Sequence, residues 1–166
     1  MAQTALRGNA VQTSGDLPAE GAAAPAFSLT KGDLSALSSA DLAGQQVVLN
    51  IFPSIDTPTC AASVRAFNER AADLDNTTVV CVSADLPFAQ GRFCGAEGIE
   101  NVTTASTFKN PEFLTDYGVG MVDGPLAGLC ARAVVVFDAS GNVVHSQLVG
   151  EIADEPDYDG ALASLG

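Results

Sequence analysis

Residues 47–74, VVLNIFPSIDTPTCAASVRAFNERAADL, decide the fold of this chain. The stretch begins with a short apolar run that is rich in β-branched residues and is stopped by Pro53, as expected for a strand buried at the centre of a sheet. After a loop, a helix is predicted to begin near Thr59 or Cys60 and to end at Asp75. Its apolar residues recur at helical spacing, namely Val64, Phe67, Ala71 and Leu74.

The rest of the chain adds strands and helices on both sides of this stretch. Apolar-polar alternation on either side of Gly8 predicts a small N-terminal hairpin. Further patterns predict strands at residues 78–83, 102–106, 133–137 and 143–148, and helices at 87–95, 111–117 and 157–165. This order describes an α/β thioredoxin-like fold: a central mixed sheet flanked by helices, with an N-terminal β-hairpin extension.

The length, composition and net charge of the chain argue for a single domain and against several classes of partner. With 166 residues, of which 47% are hydrophobic, the chain is expected to form a single domain over residues 1–166. The net charge of −13 argues against nucleic-acid and membrane-surface partners, because such a chain repels phosphates and anionic lipids. The N-terminal sequence lacks the basic and apolar segments of a signal peptide, so we expect a cytoplasmic location.

Four cysteines, at positions 60, 81, 94 and 130, contain no C-x-x-C pair, and the chain has a single histidine. A structural zinc site is therefore not expected. Cys81 lies in a strand predicted to be buried, where a thiol behaves as a small apolar group, and packing is also the expected role of Cys130.

Cys60 has the most reactive surroundings of the four. A cysteine in the first turn of a helix lies near free backbone N–H groups and the positive end of the helix dipole, which favour the nucleophilic thiolate. Thr57 lies three residues earlier, where its hydroxyl could reach the sulfur or a molecule bound beside it. The same pattern also fits an unreactive cysteine that caps a core helix.

Arg132 precedes the strand predicted at residues 133–137, and it is one of five arginines in the chain. A guanidinium beside a buried strand is costly unless it contacts an anion or a strong acceptor. A thiolate at the end of a neighbouring strand is one suitable partner, and an ordinary ion pair with one of the 20 acids is the other.

Cys94 is predicted to lie on the short helix that begins at Pro87 and ends at Gly95. Weak capping beside a cysteine makes local unfolding easy. If Cys94 and Cys60 lie on separate helices, both helices would have to fray before the sulfurs could meet. Cys94 is otherwise another buried thiol.

The segment Pro53-x-x-x-Thr57-x-x-Cys60 resembles the active-site motif of the peroxiredoxins. The longer segments VLNIFPSIDTPTCAASVRAFN, VSADLPFAQGRFCGAEG, GPLAGLCARAVVVFD and LVGEIADEPDYDGAL are similar to the bacterial thiol peroxidase subgroup, the atypical two-cysteine peroxiredoxins. The similarity extends over essentially the whole chain beyond about residue 15. Thr59 departs from the aliphatic residue that is common at that position.

The resemblance implies a role for each residue of the site. Cys60 would be the peroxidatic cysteine, and Cys94 the resolving cysteine that forms a disulfide with it in the same subunit. Thr57 and Arg132 would position the peroxide, and Pro53 would shield the sulfenic acid. Such proteins reduce hydrogen peroxide and alkyl hydroperoxides. They are usually homodimers that thioredoxin reduces, and they carry no metal or organic cofactor.

Two other functions share this chemistry. A general thiol-disulfide oxidoreductase on the same fold would be expected to show C-x-x-C, whereas this chain has Thr57-Pro58-Thr59-Cys60. A non-enzymatic redox sensor would use oxidation of Cys60 to change partner binding, and only turnover or partner capture separates it from a peroxidase.

Overall fold

The computed structural model describes residues 1–166 and contains nine strands and four α-helices. The strands β1 to β9 are Gln3–Leu6, Asn9–Gln12, Ser28–Lys31, Ala36–Ser38, Gln46–Ile51, Thr77–Ser83, Thr103–Ser106, Ala133–Phe137 and Val143–Leu148. The helices α1 to α4 are Pro58–Ala71, Pro87–Glu97, Glu112–Asp116 and Tyr158–Ala163. None of the helices has the length and apolar composition needed to cross a membrane.

Seven strands form one mixed sheet in the order β4-β3-β7-β6-β5-β8-β9. Strands β5, β6 and β7 run parallel, because a helix connects each to the next, whereas β8 pairs antiparallel with both β5 and β9. Strands β1 and β2 form a separate hairpin. The predicted central mixed sheet and N-terminal hairpin are therefore confirmed.

The central strand β5 is buried on both faces, which explains its continuous apolar sequence. Val47, Leu49 and Ile51 belong to the core layer that also contains α3, where the Phe113 and Tyr117 rings stack. Val48 faces the opposite layer, against α1 and α4. Because alternate residues of the strand serve different layers, β5 holds both halves of the core together.

Two strands were not expected from the sequence. β3 and β4 are short and contain Ser, Thr and Lys beside their apolar residues, so their local pattern is weak. They form because Leu29 and Leu37 pair across the strands and are buried in the core. β3 then adds to the edge of β7.

The C-terminal ends of α1 and α2 differ from the prediction for identifiable reasons. Helix α1 ends at Ala71, before Leu74, whose N–H bonds to the Ala71 carbonyl in a turn rather than continuing the helix. Helix α2 continues past Gly95 to Glu97 and ends at Gly98, whose left-handed backbone (φ 65°) lets its N–H bond back to the Cys94 carbonyl. A helical glycine only weakens a helix, whereas a left-handed residue stops it.

Candidate active site

Cys60 is the third residue of α1, and its side chain is completely buried. Strand β5 leads into the preceding loop, and Pro58 begins the helix, where its fixed backbone angle is favourable and its missing N–H costs nothing. The sulfur therefore lies at the positive end of a 14-residue helix. This position favours negative charge on sulfur.

The guanidinium of Arg132 directly contacts this sulfur. Its Nη2 donates to Cys60 Sγ at 3.2 Å, and its Nε donates to the Ile152 carbonyl at 2.8 Å. The side chain is only 1% exposed and forms no ion pair with an acidic residue. Of the two partners anticipated for Arg132, the structure contains the cysteine sulfur and not an acid.

A pocket of about 640 Å³ opens beside this contact. Its polar lining includes Arg132 and Thr57, together with Arg7, Asn9 and Thr59, and Pro53 also lines it. The other walls are largely apolar and come from the N-terminal hairpin and from loops near the C-terminus, including Leu6, Val11, Leu126 and Ile152. Arg132 Nη1 is buried and has no hydrogen-bond partner. This donor is therefore left for an acceptor that the protein itself does not supply.

The Thr57 hydroxyl is not directed at the sulfur. Thr57 is the N-cap of α1, and its Oγ1 donates to the Ser54 carbonyl at 2.9 Å. This bond closes the loop before the helix. Because Thr57 is exposed and lines the pocket, its oxygen can also accept a hydrogen bond from a molecule bound there.

Cys94 lies on α2 and is a free thiol, as is Cys60. Its sulfur is hydrogen-bonded to Thr104 Oγ1 at 4.0 Å. Burial raises the pKa of the Cys94 thiol, and the bond to Thr104 opposes that shift. In this conformation Cys94 is half-buried on one helix while Cys60 is paired with Arg132 on another, so forming a disulfide requires a rearrangement.

The other two cysteines have surroundings unsuited to reaction. Cys81 in β6 and Cys130 before β8 are fully buried, and burial raises the pKa of each thiol to about 12. Both therefore remain protonated at neutral pH. Both lie in apolar core layers, in agreement with a packing role.

A buried polar pair behind Cys60 was missed from the sequence. Ser63 Oγ donates to the Cys60 carbonyl at 2.7 Å, and Asn50 Nδ2 donates to Ser63 Oγ at 3.1 Å. These bonds hold the first turn of α1 against β5. The available signal was Asn50 itself, a polar residue inside an apolar strand, because a buried amide needs a partner.

Asp85 is a second residue missed from the sequence. Its carboxylate accepts hydrogen bonds from Ser54 Oγ and the Ile55 N–H, both at 2.7 Å, and from Ser83 Oγ at 2.6 Å. It therefore joins the loop that precedes Cys60 to the loop that precedes α2.

Nowhere do three or more His, Cys, Asp or Glu side chains converge as a metal site would require.

Comparisons with known proteins identify the family to which the chain belongs. Residues 19–162 match the family model described as Redoxin. The chain is 62% identical over its full length to a thiol peroxidase of Mycobacterium tuberculosis and covers 99% of that protein.

Solved structures show the same fold. A crystal structure of a peroxiredoxin-like protein from Aquifex aeolicus superposes with a TM-score of 0.93 at 38% identity, over 98% of this chain and 95% of that one. A thiol peroxidase from Chromobacterium violaceum shares the fold, with a TM-score of 0.87 at 20% identity over 97% and 93% of the two chains. These likenesses confirm the predicted thioredoxin-like α/β architecture.

Proposed function

The chain belongs to the redoxin family and is a thiol-dependent peroxidase of its peroxiredoxin group, and on that premise we propose that Cys60 is the nucleophile that attacks the peroxide. The observation that carries this proposal is the 3.2 Å contact between Arg132 Nη2 and Cys60 Sγ in the first turn of α1. Helix dipole and guanidinium both favour the thiolate. No other cysteine of the chain accepts a hydrogen bond from an arginine side chain.

The first chemical step is a displacement on oxygen. The Cys60 thiolate donates an electron pair to one peroxide oxygen, the O–O bond breaks, and the other oxygen leaves as an alkoxide or hydroxide that takes up a proton. We assign Arg132 and Thr57 to peroxide binding, since both residues line the pocket and Arg132 keeps one donor, Nη1, without a hydrogen-bond partner. Charge that spreads over both oxygens would be stabilised by the guanidinium. Pro53 also lines the pocket, where we assign it to shielding the sulfenic acid.

Cys60 leaves this step as a sulfenic acid. In the proposed second step the Cys94 sulfur attacks the Cys60 sulfur, water leaves, and an intrasubunit disulfide forms. Thioredoxin then reduces that disulfide by thiol exchange and becomes oxidised itself. The glycines of α2 support this assignment, because a helix with two interior glycines opens at low cost.

Substrate, assembly and location complete the proposal. The largely apolar pocket supports alkyl hydroperoxides as substrates beside hydrogen peroxide. Exposed apolar side chains that follow the adjacent ends of β6 and β7, namely Leu86, Phe88 and Phe108, support a homodimer in which they are covered. We further propose that residues 1–166 form one domain and that the protein acts in the cytoplasm.

The proposal is tested by separating the two steps. Reduced protein is mixed with one equivalent of cumene hydroperoxide, quenched at short times, and its cysteine states are mapped by peptide mass spectrometry. The wild type should form a Cys60–Cys94 disulfide while Cys81 and Cys130 stay reduced. Cys60→Ser should abolish turnover with thioredoxin.

Cys94→Ser should oxidise once at Cys60 and then fail to cycle with thioredoxin. Full cycling by this variant would remove Cys94 from the resolving role. Equal oxidation of all four cysteines would instead show that Cys60 is not the selective nucleophile.

A further inference from the structure

The orientation of Arg132 depends on one loop of the molecule, residues 149–153 between β9 and α4. Arg132 Nε donates to the Ile152 carbonyl at 2.8 Å, and the Val149 N–H donates to the Arg132 carbonyl at 3.0 Å. Both the backbone and the side chain of the arginine are thus held by this loop. The same loop reaches the first turn of α1, because Thr59 Oγ1 donates to the Ala153 carbonyl at 3.1 Å.

The loop is held from its other side by the N-terminal hairpin. The buried Thr4 hydroxyl donates to the Val149 carbonyl, and the Ile152 N–H donates to the Ala5 carbonyl, both at 2.8 Å. These residues are about 145 positions apart in the chain. The hairpin therefore lies directly behind the loop that orients Arg132.

Glu151 makes the charged contact between hairpin and loop. Its Oε1 accepts from the Arg7 N–H at 2.7 Å, and its Oε2 accepts from the Gly8 N–H at 3.0 Å. Arg7 and Gly8 form the two-residue turn of the hairpin, and both have positive φ, 52° and 81°. In such a turn these two N–H groups have no partner in the strand ladder, so the carboxylate satisfies both. The two backbone bonds lower the pKa of Glu151.

We propose that Glu151 is a positioning residue for peroxide reduction: by fastening the Arg7-Gly8 turn to the loop, it fixes the Ile152 carbonyl and thereby the angle at which Arg132 faces Cys60. Glu151 is not among the residues that line the pocket. The N-terminal hairpin thus serves the reaction as well as forming a wall of the pocket. The inference rests on the proposed role of Arg132 in binding the peroxide.

The test compares two reactions of Cys60 in Glu151→Ala. Both rates are compared at an alkaline pH where they no longer rise, so that the thiolate is fully formed whether or not Arg132 helps to stabilise it. Under these conditions oxidation by hydrogen peroxide still needs the guanidinium oriented toward both sulfur and oxygen, whereas alkylation by iodoacetamide needs only the sulfur. We expect the single-turnover oxidation rate to fall about tenfold, since small displacements of a catalytic group are costly. The alkylation rate should change by less than about twofold, because the helix end that holds the sulfur is unaltered.

Two variants serve as controls. Glu151→Gln keeps one acceptor oxygen at nearly the same place and should recover at least half of the oxidation rate. Asp154→Ala removes the same charge from the neighbouring turn, where the side chain makes no hydrogen bond, and should react as the wild type does. Thermal unfolding of each variant shows that it is folded at the assay temperature.

Three outcomes would overturn the inference. Wild-type oxidation by folded Glu151→Ala would show that the arginine does not depend on this carboxylate. Equal slowing of oxidation and alkylation would indicate general disturbance of α1 instead. Arg132→Lys serves as a reference: if it too oxidises at the wild-type rate, the proposed role of Arg132 is wrong, whereas a slow Arg132→Lys beside a fast Glu151→Ala contradicts only the positioning role.

Discussion

At the residue scale, the hydrogen bonds of the buried Arg132 side chain explain how the candidate active site is arranged. Burying a guanidinium costs free energy unless strong acceptors surround it, and here the acceptors are one carbonyl and one sulfur. Three other arginines, Arg65, Arg70 and Arg92, pair with acids on the surface. Arg132 therefore has no competing carboxylate, and its charge remains available to the sulfur and to a bound peroxide.

Arg132→Lys should slow the oxidation of Cys60 about 100-fold, as removal of one donor from a preorganised site typically does. A lysine has one nitrogen and lacks the planar fork that reaches the Ile152 carbonyl and Cys60 Sγ together. The rate of sulfenic acid formation with cumene hydroperoxide, trapped by dimedone, measures the effect. The surface variant Arg92→Lys is the matched control. A rate within threefold of the wild type would contradict the assignment.

At the scale of elements, helix α2 contains residues that lower the free energy needed to open it locally. It contains Gly91 and Gly95, each of which weakens a helix by about 1 kcal/mol relative to alanine. Its two ion pairs to α1 and the loop before it, Arg65–Glu97 and Arg92–Asp56, are exposed to solvent and contribute little. The middle of α2 is anchored by the buried Gln90, whose Nε2 donates to Ser83 Oγ and to the Ala105 carbonyl, both at 3.0 Å. The last turn, which contains Gly95, is therefore the part of the helix that can open and release Cys94 while the sheet stays intact.

Gly91→Ala and Gly95→Ala should each raise the free energy of unfolding by up to about 1 kcal/mol. Neither added methyl group would meet a neighbouring atom within 4 Å. Because opening of α2 precedes the disulfide, each variant should slow Cys60–Cys94 disulfide formation about threefold to fivefold without changing the oxidation of Cys60. Stopped-flow mixing followed by mass spectrometry measures both steps.

The loop variant Gly32→Ala is the control for these helix substitutions. A methyl group added at Gly32 also has no neighbouring atom within 4 Å. Gly32 lies between β3 and β4, outside the helices that carry Cys60 and Cys94. It should leave the disulfide rate unchanged. Unaltered disulfide rates in stabilised Gly91→Ala and Gly95→Ala would show that opening of α2 does not limit the resolving step.

At the scale of the whole molecule, the sheet divides the core into two apolar layers, and each layer holds a buried thiol. Cys130 belongs to the layer with α3, and Cys81 belongs to the layer with α1. Burial raises the pKa of both thiols to about 12. The folded state keeps them protonated, so the free energy of unfolding should decrease at alkaline pH, where the unfolded chain loses these protons first.

The free energy of unfolding should fall by about 1 to 2 kcal/mol per buried thiol between pH 8 and pH 10. The folded-state pKa is raised, so above pH 9 the unfolded chain releases protons that the folded chain retains. The stabilisation is complete below the ordinary thiol pKa and is lost as the pH rises toward about 12. Urea unfolding at several pH values measures how steeply the free energy of unfolding falls with pH.

The double variant Cys81→Ala with Cys130→Ala is the control for this pH dependence. It should be less stable at neutral pH, because it leaves small cavities, but its stability should fall less steeply with pH. An identical slope in the wild type and the double variant would show that other groups cause the alkaline loss.

Much of the fold and part of the site could be predicted from local patterns. The apolar run of β5 and the helix that begins beside Cys60 follow from periodicity over adjacent residues. The short strands β3 and β4 could not be predicted, because their few apolar residues gain burial only after Leu29 and Leu37 pair in the assembled sheet. The end of α2 was placed too early because Gly95 and Gly98 differ only in backbone angle, which the residue type does not reveal.

By itself the sequence determined the order of the elements other than β3 and β4, the place of Cys60 in the first turn of a helix, and Arg132 as a buried cation that needs a partner. Only the tertiary structure shows that the partner of Arg132 is the sulfur of Cys60, 72 residues away, and not an acidic side chain. It also directed the Thr57 hydroxyl to Ser54 and brought the hairpin behind the arginine. The reason is physical: periodicity depends on neighbouring residues, whereas contacts between distant residues depend on how every intervening element packs.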